Sequence, residues 1–100
     1  MLAAIAKLTV REGSEDEFKA AASEMVAAVK ANEAGRTLQY TLAQSQKTPS
    51  DFYFIELYAD GDASAEHGKT AHMAAFGGKI GAMLAGRPEI IRLDLIATID

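Results

Sequence analysis

Apolar residues recur along this chain with two periods, and the switches between them lay out its elements. Leu2 to Arg11 carries Ile5, Leu8, Thr9 and Val10 among small alanines, which reads as a strand. Glu12-Gly13 turns the chain, and Phe18, Ala22, Met25 and Val29 then fall at helical spacing. Ser14 and Glu17 have the spacing of a capping box, with Glu15 and Asp16 also suiting the positive end of a helix. This predicts an amphipathic helix of about five turns, ended at Gly35. Thr37 to Gln46 and Asp51 to Ala59 alternate as strands around the turn Lys47-Thr48-Pro49-Ser50, giving an antiparallel hairpin. Asp62 is placed to cap a short helix that Gly68 interrupts. A further helix is predicted from about Ala71 to Ala85, with Met73, Phe76, Ile80 and Leu84 on one side. Its glycines Gly77, Gly78 and Gly81 weaken it by about 1 kcal/mol each relative to alanine, so they serve close packing or mobility. Gly86-Arg87-Pro88 stops it, and Glu89 to Ile99 reads as the last strand. The order β-α-β-β-α-β predicts an α+β, ferredoxin-like fold: a four-stranded antiparallel sheet with helices on one face.

Strand parity assigns faces. One face gathers Leu2, Ala4, Ala6, Leu8 and Val10 with Leu38, Tyr40 and Leu42, then Tyr53, Ile55, Leu57, Ile91, Leu93, Leu95, Ala97 and Ile99. It is almost all hydrocarbon and is expected under the helices, where Tyr40 and Tyr53 add a polar handle to any pocket. The opposite face gathers Phe52, Phe54, Glu56, Tyr58, Ile90 and Ile96 with Lys7, Arg92 and Asp94. So much apolar area is rarely left open to water. Phe52, Phe54, Glu56, Tyr58 and Arg92 are therefore expected at a homodimer interface, with Lys7, Glu56, Arg92 and Asp94 as a structural salt-bridge cluster.

Composition narrows the class. One hundred residues, 49% of them hydrophobic, suit a single globular domain over residues 1–100. A domain of this size buries only about two thirds of its unfolded surface, which makes association useful. Net charge is −4, and Lys and Arg are scattered singly, so nucleic-acid binding is not expected. There is no cysteine, hence no disulfide or thiolate site. Met1 to Val10, broken by Lys7, is neither a leader nor a spanning helix. No membrane association is expected, and a cytoplasmic location needs no further device. No glycine-rich dinucleotide motif follows a strand.

The stretch from Glu56 to Phe76 holds both histidines. On one unbroken helix, His67 and His72 would diverge by about 140°. Gly68 lets the chain turn, so both can approach one pocket. Two histidines and nearby Glu66 lack the spacing of a ligand set, so no metal is expected.

The spacing of Glu56, Tyr58, Asp60, Ala63, His67, His72 and Phe76 resembles the antibiotic biosynthesis monooxygenase domain family, and the likeness spans essentially the whole chain. It implies a dimeric α+β barrel with a pocket between helices and sheet in each subunit. Haem-degrading relatives have a tryptophan where this chain has His67 and an asparagine on the first strand. Here Trp is absent and the only asparagine, Asn32, falls in the first helix, so haem breakdown is not implied. The resemblance implies a cofactor-independent monooxygenase acting with dioxygen on a phenolic or quinol-type small molecule. His72 is the expected catalytic base, since imidazole titrates near neutrality. His67, Phe76, Tyr40 and Tyr53 are expected to bind the substrate. The same fold also hosts non-catalytic dimeric ligand-binding or stress-related proteins, and isomerases or signal-processing enzymes. A collapsed apolar pocket with both histidines bonded to backbone would favour the non-catalytic reading.

Overall fold

The structure, a computed structural model, describes residues 1–99. Strands β1 (Leu2–Thr9), β2 (Thr37–Gln44), β3 (Asp51–Tyr58) and β4 (Glu89–Asp94) form one sheet in the order β2-β3-β1-β4, antiparallel throughout. Helices α1 (Glu15–Asn32), α2 (Gly61–Gly68) and α3 (Ala71–Ile80) punctuate it, and a 3-10 turn, Gly81–Met83, follows α3. This is the ferredoxin-like arrangement that the hydrophobic pattern predicts. The core joins Phe18, Ala22, Met25 and Val29 of α1 to Phe76 and Ile80 of α3 and to Leu8, Phe52 and Phe54 of the sheet. The helices therefore cover one face only.

That face differs from expectation in two strands. Phe52, Phe54 and Tyr58 are 1–2% exposed and Glu56 is 9% exposed, all beneath the helices. Their outward neighbours are Tyr53, Ile55 and Leu57. The register explains it: Leu2, Ala4, Ala6 and Leu8 of β1, which do face the helices, stand opposite Tyr58, Glu56, Phe54 and Phe52. β4 is likewise reversed, with Ile90, Arg92 and Asp94 opposite Ala6, Ala4 and Leu2. Aromatic packing accounts for the choice. Phe52 lies 4.8 Å from Phe18 between ring centres, and Phe54 meets Phe76 edge-on at 5.7 Å. The interface expected of Phe52, Phe54, Glu56 and Tyr58 is thus replaced by burial within the subunit, and Arg92 turns to the same side. The expected charge cluster does not form either. Lys7 pairs with Asp51 at 3.8 Å, while Glu56 bonds Tyr58.

A bulge at Leu38 shifts the register of β2, so that Thr37 pairs Tyr58 and Gln39 pairs Leu57. The extra residue leaves Leu38 outside at 48% exposure and brings Thr37 onto the same face as Tyr40 and Leu42.

The caps also differ. Ser14 makes no side-chain cap bond, and Glu15 takes the Gly13 N–H instead at 2.7 Å. Gly35, at φ +80, reverses the chain after the helix has closed at Glu33, whose N–H returns to the Val29 carbonyl. Asp60, rather than Asp62, caps α2 by accepting the Ala63 N–H at 2.8 Å, and Thr70 caps α3 by accepting that of Met73. A Cβ at Gly77, Gly78 or Gly81 would meet nothing within 4 Å, so these glycines do not serve close packing. β4 stops at Asp94, short of the predicted Ile99.

Candidate active site

A cavity of about 380 Å³ lies between the sheet and α2–α3. Small residues leave the space open: Ala4 and Ala6 on β1 below, Gly68 and Gly77 above. Met73, Phe76, Ile80 and Phe54 supply apolar walls, and Tyr40, Glu56, Tyr58, His67 and Arg92 the polar groups. Few polar groups in an apolar cleft of this size is the usual make-up of a small-molecule site.

Glu33 organises the polar side, and sequence reasoning passed over it. It is 1% exposed at the end of α1, yet its carboxylate meets three donors. Thr37 Oγ1 donates to Oε1 at 2.6 Å, His67 Nδ1 lies 2.9 Å from Oε1, and His72 Nε2 lies 2.5 Å from Oε2. Burial pushes the carboxyl up, but the hydrogen bonds from Thr37, His72 and His67 together outweigh it and hold the group below its usual range. An ionised carboxylate can only accept, so His67 Nδ1 and His72 Nε2 carry hydrogens. In neutral His67 the other nitrogen, Nε2, is then the bare, basic one. It has no bond to any described residue, and His67 lines the cavity. The ring is flanked by Tyr40 and Tyr58, with centres 5.1 Å and 5.6 Å away. A signal for Glu33 existed: an acid at a helix C-terminus opposes the helix dipole and needs a local reason.

The Tyr58 hydroxyl donates to Glu56 Oε1 in a short bond. Burial raises the Glu56 carboxyl above its usual range, against the pull of Tyr58, His67 and Arg92. Burial, then the neighbouring carboxylates, also raises the Tyr40 phenol; at Tyr58 the Glu56 bond adds to burial. Both phenols therefore remain neutral donors near pH 7.

Of the residues singled out from sequence, His67, Phe76 and Tyr40 line this cavity. Glu56, Tyr58 and Arg92, read as interface, line it too. Tyr53 does not: it pairs with Lys7 on the outer face. His72 faces a smaller groove of about 180 Å³ between α1 and α3, with Glu24 and Lys79. Glu33, His67 and His72 converge, but no group of three or more His, Asp or Glu among the described residues is arranged to hold a metal ion. No helix among them is long and apolar enough to cross a membrane.

A sequence profile described as Antibiotic biosynthesis monooxygenase matches residues 1–79. The chain belongs to the antibiotic biosynthesis monooxygenase family. Among solved structures of similar fold, a candidate antibiotic biosynthesis monooxygenase from Caulobacter crescentus CB15 is 35% identical, with a TM-score of 0.91 over 96% of this chain and 90% of that one. A Pseudomonas aeruginosa protein is 30% identical, with a TM-score of 0.85 over 96% and 94%. A Mycobacterium tuberculosis protein at 19% identity shares the fold, with a TM-score of 0.89 over 99% and 98%. No curated protein matches the chain. The family profile covers the whole polar side of the cavity except Arg92, which lies beyond residue 79.

Proposed function

We propose that this family member is a monooxygenase of phenolic or quinol-type small molecules, in which the deprotonated substrate itself reduces dioxygen. The observation that carries this reading is the Glu33–His67 pair at the wall of a mostly apolar cavity: with Nδ1–H held by the carboxylate, a neutral His67 ring keeps Nε2 free to accept a proton. The base role expected of His72 passes in this reading to His67. His72, held by the same carboxylate, becomes a positioning residue.

His67 Nε2 takes the hydroxyl proton of the bound ring. The electron-rich oxyanion gives an electron to dioxygen, and the resulting radicals join as a carbon-bound peroxide at a hydrogen-bearing ring carbon ortho or para to the oxygen. Loss of the ring proton there, with O–O cleavage, leaves a carbonyl. The second oxygen departs as hydroxide and collects a proton to become water. A phenol and dioxygen thus give a quinone and water, the substrate supplying all the electrons. The protein holds the ring, removes the proton and limits water. Oxygen uptake with a panel of hydroquinones and naphthols tests this. His67→Ala should abolish the turnover and His72→Ala should lower it partially. Equal rates in wild type and His67→Ala would overturn the assignment. The alternative of a non-catalytic binding protein is disfavoured, since the cavity is open and both histidine rings bond to a carboxylate rather than to backbone.

The reading includes a homodimer, now through the outer sheet face. Two apolar rows cross three strands there: Ile55, Ile5 and Ile91, and Leu57, Ala3 and Leu93. Ile55, Ile91 and Leu93 are 40–56% exposed, more apolar surface than a lone sheet usually leaves in water. A second copy's sheet packed on these rows would cover it. Sedimentation of Ile55→Lys should give a monomer where wild type gives a dimer.

A further inference from the structure

Arg92 is a cation in the cavity wall with no carboxylate in ion-pair contact among the described residues. It stands opposite Ala4, and Ala4 stands opposite Glu56, so the two charged residues flank one alanine on the same face. Two strand spacings separate their backbones, about 10 Å. The alanine methyl fills little of that gap. Arg92 makes no ion pair among the described residues, either with Glu56 or with Asp94, which shares its face two residues on. Glu56 already has the Tyr58 hydroxyl on Oε1. The cavity is thus electrically lopsided: a guanidinium fork at the β4 side, and Glu56 with the Glu33–His67 pair at the other.

We infer that the substrates are aromatic acids, whose carboxylate pairs with Arg92 while the ring hydroxyl faces His67. The inference rests on the monooxygenase reading for the hydroxyl, and on the charge layout alone for the carboxylate. A planar guanidinium binds a carboxylate through two parallel N–H···O bonds. Glu56 repels an anion from the opposite end, so attraction and repulsion fix one orientation. A neutral quinol would lack this orientation.

The test is anaerobic titration of the intact protein with 2,5-dihydroxybenzoate and with its methyl ester, which differ in the charge alone at nearly equal shape. Wild type should bind the acid about tenfold more tightly than the ester, with the difference shrinking as salt rises. Arg92→Gln should erase the preference, and Arg92→Lys should keep part of it. Arg92 is exposed on an edge strand, so neither change disturbs the core. His67→Ala should keep the preference while losing oxygen uptake. Equal binding of acid and ester by wild type, or an unchanged preference in Arg92→Gln, overturns the inference. If the preference holds and no phenol supports oxygen uptake, the monooxygenase reading fails and the anion site stands.

Discussion

Replacing Glu33 with glutamine tests the arrangement at its centre. The carboxylate accepts from Thr37, His67 and His72 while almost fully buried. An amide offers one oxygen and one NH2. If its oxygen keeps Thr37 and His67, its NH2 confronts His72 Nε2, which must change tautomer. If its oxygen turns to His72, His67 must change tautomer and its basic nitrogen turns from the cavity. In either case three charge-assisted bonds become neutral ones or are lost. A bond to a charged group contributes roughly 1.5–3 kcal/mol and a neutral one roughly 0.5–1.5, so the loss is about 1 kcal/mol per bond and about 3 kcal/mol in all. That is a large share of the roughly 5–15 kcal/mol that stabilises a domain. Urea unfolding followed by far-ultraviolet circular dichroism measures it. For a slope of about 1 kcal/mol/M the midpoint should fall by about 3 M. The pH dependence carries a sign. The folded Glu33 carboxyl ionises below the unfolded reference of 4.5, so its contribution is complete above that pH. It is lost as pH falls through the folded value. The gap between wild type and Glu33→Gln should therefore be constant near neutrality and narrow in acid. A midpoint change under about 0.5 M at pH 7, or a gap that widens in acid, would refute the reasoning. A cycle with Thr37→Val separates the hydroxyl's share, because the two residues are in direct contact.

Other outcomes follow from the same geometry. Glu56 has a folded carboxyl raised above 4.5, so the folded state is favoured by its protonation at low pH and loses stability as pH rises through the folded value. Glu56→Gln, which still accepts the Tyr58 hydroxyl, should raise the unfolding midpoint at pH 7 and have less effect near pH 4. Gly77→Leu should fill the cavity from α3: a Cβ there meets nothing within 4 Å, so the melting temperature should hold or rise while anaerobic quinol binding disappears. Gly78→Ala, outside the cavity, should add about 1 kcal/mol in urea unfolding and leave binding unchanged. Phe54→Ala should cost about 3–5 kcal/mol, because the ring packs on Tyr40 and Phe76 at 2% exposure.

The linear pattern was enough for the element order, the antiparallel sheet and the helical cover, because each depends on neighbours a few residues apart. α1 announced itself through Phe18, Ala22, Met25 and Val29, and the hairpin through Pro49 between two alternating runs. The family spacing likewise lies within one short segment and pointed to His67 and Phe76, both of which line the cavity. What the sequence left open was phase. β3 is apolar on both parities, with Phe52 and Phe54 on one and Ile55 and Leu57 on the other, and β4 repeats this with Ile90 and Ile91. A period of two gives no direction when both faces are apolar. Tertiary structure decided it through the register against the small alanines of β1 and the fit of Phe52 and Phe54 to rings on α1 and α3. That choice moved Glu56, Tyr58 and Arg92 from a supposed interface to the cavity wall. The site's centre was equally hidden, since Glu33 lies 34 residues from His67 and 39 from His72. Local sequence shows only an acid at a helix end. Packing α2 and α3 against the end of α1, with the Leu38 bulge turning Thr37 inward, gathers the donors around it.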